Sequence, residues 1–160
     1  MKTIKDASKD RLPKFDSLQQ QAFLELWKTY DCLKSEEDLV FAEFDISSQQ
    51  YNALRLLKAV APSALAVSAL GQRMITRAPD MTRMLDRLEE RGWIARVRRD
   101  DNRRVVEVTI TPAGTKLLQQ IVKPIRACHQ RQFGHLSEDQ LTQLIGLLRA
   151  TRKPDDETRN

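Results

Sequence analysis

Between Arg96 and Arg104 the chain carries five arginines (Arg96, Arg98, Arg99, Arg103 and Arg104) against two acids, Asp100 and Asp101, and no other stretch of that length is as positively dense. A guanidinium offers a planar fork of N–H donors that matches phosphate oxygens and the acceptor edges of bases, so this cluster points to recognition of a polyanion. A second set of polar groups lies just upstream: Thr76, Arg77, Asp80, Thr82, Arg83 and Arg87. Reaction chemistry is poorly provided for. Cys128 and His129 are adjacent and would project about 100° apart on a helix, with His135 nearby but no third ligand at zinc spacing. The five glycines form no phosphate-binding loop. The expectation is no enzyme, no metal and no cofactor. Cys32 and Cys128 lie far apart, match no disulfide framework, and read as ordinary thiols of a reducing compartment.

At 160 residues the chain can bury one real core, and its net charge of +5 is compatible with nucleic acid without proving it. No apolar run approaches the roughly 18–20 residues of a membrane span. Residues 1–14 are polar and mixed in charge, without the apolar heart of a signal peptide. A cytoplasmic protein with no membrane partner is therefore expected.

The elements that would position these arginines follow from periodicity and punctuation. Phe15, Leu18, Ala22, Phe23, Leu26, Trp27, Tyr30 and Leu33 recur at threes and fours, and the pattern resumes at Leu39, Val40 and Phe44. That spacing predicts one long helix with an irregularity near Lys34 to Asp38. Ser47 with Gln50 forms a capping-box pattern ahead of Tyr51, Leu54, Leu57 and Val60, and Pro62 stops that helix. Leu65 to Val67 suits one short strand pairing, and Ser68 to Met74 a short helix. Thr76 is the expected N-cap of the next helix, with Pro79 in its first turn, Met81, Met84, Leu85 and Leu88 on its back, and Gly92 ending it. Trp93 to Val97 and Val105 to Ile110 read as the strands of a β-hairpin around the charged loop. Thr111 and Pro112 open another helix, kinked or irregular at Pro124, and Ser137 with Gln140 opens the last.

The order (long helix, helix, short helix, helix, hairpin, helix, helix) is mainly α with a small β-hairpin wing. The middle portion has the element order of a winged helix-turn-helix. The outer helices are more than that module needs, and their apolar stripes predict a homodimer. The expected organisation is a flexible arm at 1–14, a dimerisation helix at 15–46, the DNA-binding module at 47–111, dimerisation helices at 112–152 and a flexible tail at 153–160.

The run from Gln72 to Ile94, with Thr82-Arg83-Met84-Leu85-Asp86-Arg87-Leu88-Glu89-Glu90-Arg91-Gly92 at its heart, resembles the recognition-helix segment of MarR-family regulators. Asn102 to Val106, continuing to Thr111-Pro112-Ala113-Gly114, is similar to that family's wing and the start of its fifth helix. Tyr51 to Leu57 fits its second helix. The resemblance spans about Phe15 to Ala150. One departure stands out: the family's wing often reads Asp-Arg-Arg, and here the triplet is Asn102-Arg103-Arg104 with Asp101 next door.

The resemblance implies a transcriptional regulator, by default a repressor, binding double-stranded DNA. A helix fits the major groove, about 12 Å wide, so Arg77 and Arg83 are expected at guanine edges or phosphates and Thr82 at a phosphate or thymine methyl. Asp80 and Asp86 are expected to orient arginines or accept from cytosine. Arg103 and Arg104 are the candidates for the minor groove, with Arg98 and Arg99 on phosphates. The resemblance also implies release by a small aromatic or anionic effector between the dimer helices and the reading module, for which Trp27, Tyr30 and Arg55 are candidate lining residues. Two other readings compete: an interaction module of the same fold that no longer binds DNA, and a DNA binder that senses oxidation through Cys32.

Overall fold

The computed structural model of the chain describes residues 15–76, 80–98, 102 and 105–152. The proposed arm at 1–14 and tail at 153–160 lie outside them, as do Arg77, Pro79, Arg99, Arg103 and Arg104. In chain order the elements are α1 (Leu18–Ala42), α2 (Ser48–Val60), β1 (Leu65–Ala66), α3 (Val67–Arg73), α4 (Met81–Glu90), β2 (Ile94–Arg98), β3 (Val106–Ile110), α5 (Pro112–Phe133) and α6 (Glu138–Ala150). The fold is mainly helical with a small antiparallel sheet, as the sequence led one to expect. No helix among the described residues is long and apolar enough to cross a membrane.

The chain divides into two compact units, 1–35 and 36–160. In the first, the described part is the N-terminal portion of α1. Leu18, Phe23, Leu26, Trp27 and Tyr30 are exposed there, and Phe23 meets Trp27 edge to face at 6.0 Å. The expected irregularity near Lys34 is absent. The helix runs unbroken to Ala42, and the Ser35 hydroxyl donates to the Cys32 carbonyl at 2.8 Å, a contact that a helix tolerates. The polar run from Lys34 to Asp38 therefore continues the helix rather than breaking it, with Lys34, Glu36 and Glu37 half-buried.

The second unit holds the core. Val40 and Phe41 from α1, Leu54 and Leu57 from α2, Leu70 from α3, Leu85 and Leu88 from α4, Ile94 and Val108 from the sheet, and Ile121 and Cys128 from α5 are all buried in it. The sheet order is β1-β3-β2, with Leu65 opposite Val108 and Arg96 opposite the same Val108 on the other side. The two-residue β1 thus closes the helix-turn-helix against the hairpin.

Local capping explains most boundaries. Ser47 and Ser137 each form a full capping box, with Gln50 and Gln140 reaching back. The Thr111 side chain accepts from the Gly114 N–H at 3.1 Å and Pro112 takes the first helical position of α5. α5 carries Pro124 within its helical span. α6 buries no residue, and Ile145, Leu147 and Leu148 are exposed on it.

Candidate nucleic-acid interface

The helix expected to read the polyanion is α4, and its start corrects one expectation. The N-cap is Asp80, not Thr76: the Asp80 carboxylate accepts from the Arg83 N–H at 2.9 Å. Both residue types cap well, but a carboxylate also favours the positive end of the helix dipole. Asp80 thus starts the helix through Oδ1. Thr76 lies in an exposed bend before it, and the N–H of the neighbouring Ile75 donates to Asn52 Oδ1 of α2 at 3.1 Å.

From that start, the residue types sort onto two faces. Met84, Leu85 and Leu88 are buried, whereas Thr82, Arg83 and Arg87 are exposed. Arg83 and Arg87 stand one turn apart, so the structure brings them onto one side of the helix. At the other end Gly92 takes a left-handed φ of +69°. Its N–H reaches the Glu89 carbonyl at 2.7 Å, and the Trp93 N–H reaches Leu88 at 3.0 Å. This paired termination needs a residue without a Cβ penalty at Gly92.

The C-terminal part of α4 is tied down on three sides. The Arg91 guanidinium pairs with Asp45, itself at a φ of +50° in the turn after α1, and stacks 4.8 Å from the Trp93 ring centroid. The Thr111 hydroxyl donates to the Gly92 carbonyl at 2.6 Å while its N–H donates to the Trp93 carbonyl at 3.0 Å. Gly114 lies so close behind that an added Cβ would press into the Trp93 carbonyl oxygen and meet Ile110 Cγ1 at 2.9 Å.

The third tie is Arg96, one of the five arginines of the dense run. Its Nε and Nη2 donate to Glu89 Oε2 at 2.8 and 2.5 Å, and Nη2 also meets Asp86 Oδ1 at 2.7 Å. The Arg96 backbone N–H donates to Glu89 Oε1 at 3.2 Å. The Arg96 hydrogen bond, against a smaller opposing effect of burial, holds the Glu89 carboxyl below its ordinary range. Asp86 thus orients an arginine as expected, but that arginine belongs to the wing strand. The spacing carried only part of the signal: Ile94, Arg96 and Arg98 share a side of β2, and Asp86 and Glu89 are three apart on α4, but nothing local pairs the two sets.

Arg98 is exposed at the end of β2, and Asn102 is exposed with its carbonyl accepting from the Val105 N–H at 2.9 Å. Arg77, Arg99, Arg103 and Arg104 fall outside the described residues. Of the candidate effector residues, Trp27 and Tyr30 are exposed in the first unit, and Arg55 is exposed in the second. The Arg55 guanidinium carbon is 5.9 Å from the Tyr51 ring centroid. Burial pushes the Tyr51 phenol up from its ordinary value, Arg55 opposing and Glu37 adding to that effect. Cys32 is exposed, whereas Cys128 is buried, and burial raises its thiol pKa. His129 Nε2 meets Glu37 Oε1 at 2.6 Å.

A family model described as the MarR family matches residues 46–106. A crystal structure of a MarR transcription factor from Planctomyces limnophilus is 50% identical, with a TM-score of 0.68 over 86% of this chain and 99% of that one. The transcriptional repressor MprA of Escherichia coli (strain K12) is 32% identical over 111 residues, which cover 68% of this chain and 57% of MprA. A mutant MarR from Escherichia coli, crystallised with operator DNA, is 21% identical with a TM-score of 0.73, covering 85% of this chain and 95% of that one. That last likeness is one of fold.

Proposed function

This chain belongs to the MarR family of transcriptional regulators, and from that premise we propose that it represses transcription in the cytoplasm as a homodimer on a pseudo-palindromic operator. The observation that carries the reading is the exposed pair Arg83 and Arg87, with Thr82, on a helix whose other face is locked into the core. MprA is named a repressor, and the MarR structure similar in fold holds operator DNA. Both support an α4 that enters the major groove with Arg83 and Arg87 at base edges or phosphates. The exposed Thr76 and the cap Asp80 precede that helix, and the reading assigns them DNA contacts together with Arg77. Arg98 and Arg99 then lie along phosphates, and Asn102, Arg103 and Arg104 at the minor groove.

Dimerisation of residues 15–46 and 112–152 is supported by the apolar surface they leave exposed: Leu18, Phe23, Leu26 and Trp27 on α1, and Ile145, Leu147 and Leu148 on α6. A two-fold dimer would place its reading helices about one DNA turn apart, ~10 bp. Release by a small aromatic or anionic effector completes the reading, with Trp27 and Tyr30 of the first unit and Arg55 of the second each a candidate contact. Such a ligand acts only through unequal affinity for the DNA-fitting and non-fitting dimers.

Fluorescence-anisotropy titration on DNA from the gene's own upstream region, at several salt concentrations, tests this. Tight binding to one short palindrome should weaken by roughly three to five orders of magnitude between 50 and 200 mM salt. The double variant Arg83→Ala/Arg87→Ala should lose at least ~10-fold in affinity while melting like the wild type. Binding that is weak, uniform across fragments and indifferent to those substitutions would overturn the reading.

A further inference from the structure

Arg96 is the one arginine of the dense run that the described structure turns inward, with its side chain only 24% exposed. It makes four polar contacts to α4: two from the guanidinium to Glu89, one to Asp86, and one from its main-chain N–H to Glu89. We infer that Arg96 is a positioning residue, which fixes the wing strands to α4 so that helix and wing enter the two grooves of DNA as one rigid head. The inference rests on the DNA-binding reading above and deepens it.

Apolar packing alone would not fix that geometry. Ile94 shares the core with Met84, Leu85 and Leu88, and such contact holds two elements close while leaving rotation and sliding inexpensive. Charge-assisted hydrogen bonds from a planar guanidinium are directional, so they set an angle as well as a distance. The acceptors come from two successive turns of α4, which gives the clamp a lever arm along the helix. Glu89 also takes a main-chain donor of β2, so the clamp holds the strand itself and not only a flexible side chain.

Charge separates holding from contacting. Asp86, Glu89 and Arg96 together sum to −1, so the group is unsuited to meeting a phosphate. Without Arg96, the two carboxylates would stand uncompensated on a helix that approaches a polyanion. The same arithmetic gives the clamp a test whose outcome opposes plain electrostatics.

Wild type, Arg96→Met and the near-isosteric Asp86→Asn/Glu89→Gln would be footprinted on a duplex that the wild-type protein selects from a random-sequence pool. Dimethyl sulfate reports the major groove and hydroxyl radicals the minor groove, with circular dichroism melts run alongside. Both variants should keep guanine protection under α4, lose hydroxyl-radical protection under the wing, and bind roughly tenfold more weakly. The double variant should weaken although it removes two negative charges from each protomer. Tighter or unchanged binding with both footprints intact would overturn the clamp, and so would equal loss of both footprints. A wild-type protein that selects no duplex would overturn the DNA-binding reading along with it.

Discussion

The C-terminal part of α4 and its outward face are built from the same residue types and put them to opposite uses. Arg91 and Arg96 are committed within the molecule, to Asp45 and Trp93 and to Glu89 and Asp86. Arg83 and Arg87 stand exposed on the same helix. An arginine that holds is recognised by a carboxylate already within hydrogen-bond distance. One that is available to read lies on a surface whose back is fully buried. The stiffness of the first region is what would give the second its aim.

The largest expected effect contrasts the two faces. Leu88 is completely buried, so Leu88→Ala should cost roughly 2–5 kcal/mol in urea unfolding, whereas its neighbour Arg87→Ala should stay within about 0.5 kcal/mol. Equal costs would mean that α4 has no anchored back. Next comes Gly114→Ala, where the new methyl would press into the Trp93 carbonyl behind the held end of the helix. An overpacking cost of about 1–3 kcal/mol is expected, and a neutral result would show that α5 can shift away from that end freely.

At the start of the helix the attachment is weaker. Asp80→Ala removes one capping acceptor and should cost about 1 kcal/mol, read from the same unfolding curves. The smallest effect concerns pH. The Glu89 carboxyl titrates below its ordinary value of 4.5 because Arg96 donates to it, so its stabilisation is present above that value and is lost as pH falls through the folded value. Stability of the wild type should therefore drop more steeply on acidification than that of Glu89→Gln, with parallel curves between pH 6 and 8. Parallel curves in acid too would mean that Glu89 gains nothing from Arg96.

What could be read from sequence was local. Ser47 with Gln50, Ser137 with Gln140, Thr111 with Pro112, and Gly92 each carry their reason within a few residues, and all four boundaries stand where the residues put them. Errors arose where two local answers were of similar quality. Thr76 and Asp80 are both good caps, and choosing between them takes knowledge of where the buried stripe of α4 begins. Lys34 to Asp38 looks like an interruption because five polar residues break an apolar rhythm, yet the helix carries them through, and Glu37 finds its partner in the distant His129. Within the site, the residue types announced a polyanion surface, but the division of labour among the arginines was hidden. Arg96 and Arg98 are alike in type and sit on the same side of β2. Only the arrival of Glu89 and Asp86 from another element separates them.

The pairing of β1 with β3 also bears on how the molecule is made. Leu65 finds its partner Val108 only after roughly 40 further residues have been synthesised, and α3, α4 and β2 all lie in that interval. At ~5–20 residues per second the stretch from Glu90 to Val108 leaves α4 without that closing strand for on the order of 1–4 s. A nascent chain of this protein thus carries the sequence of a DNA reader before it has the frame that aims it. A product truncated before Val108 should be a poor competitor for the operator, even though it contains every residue of α4.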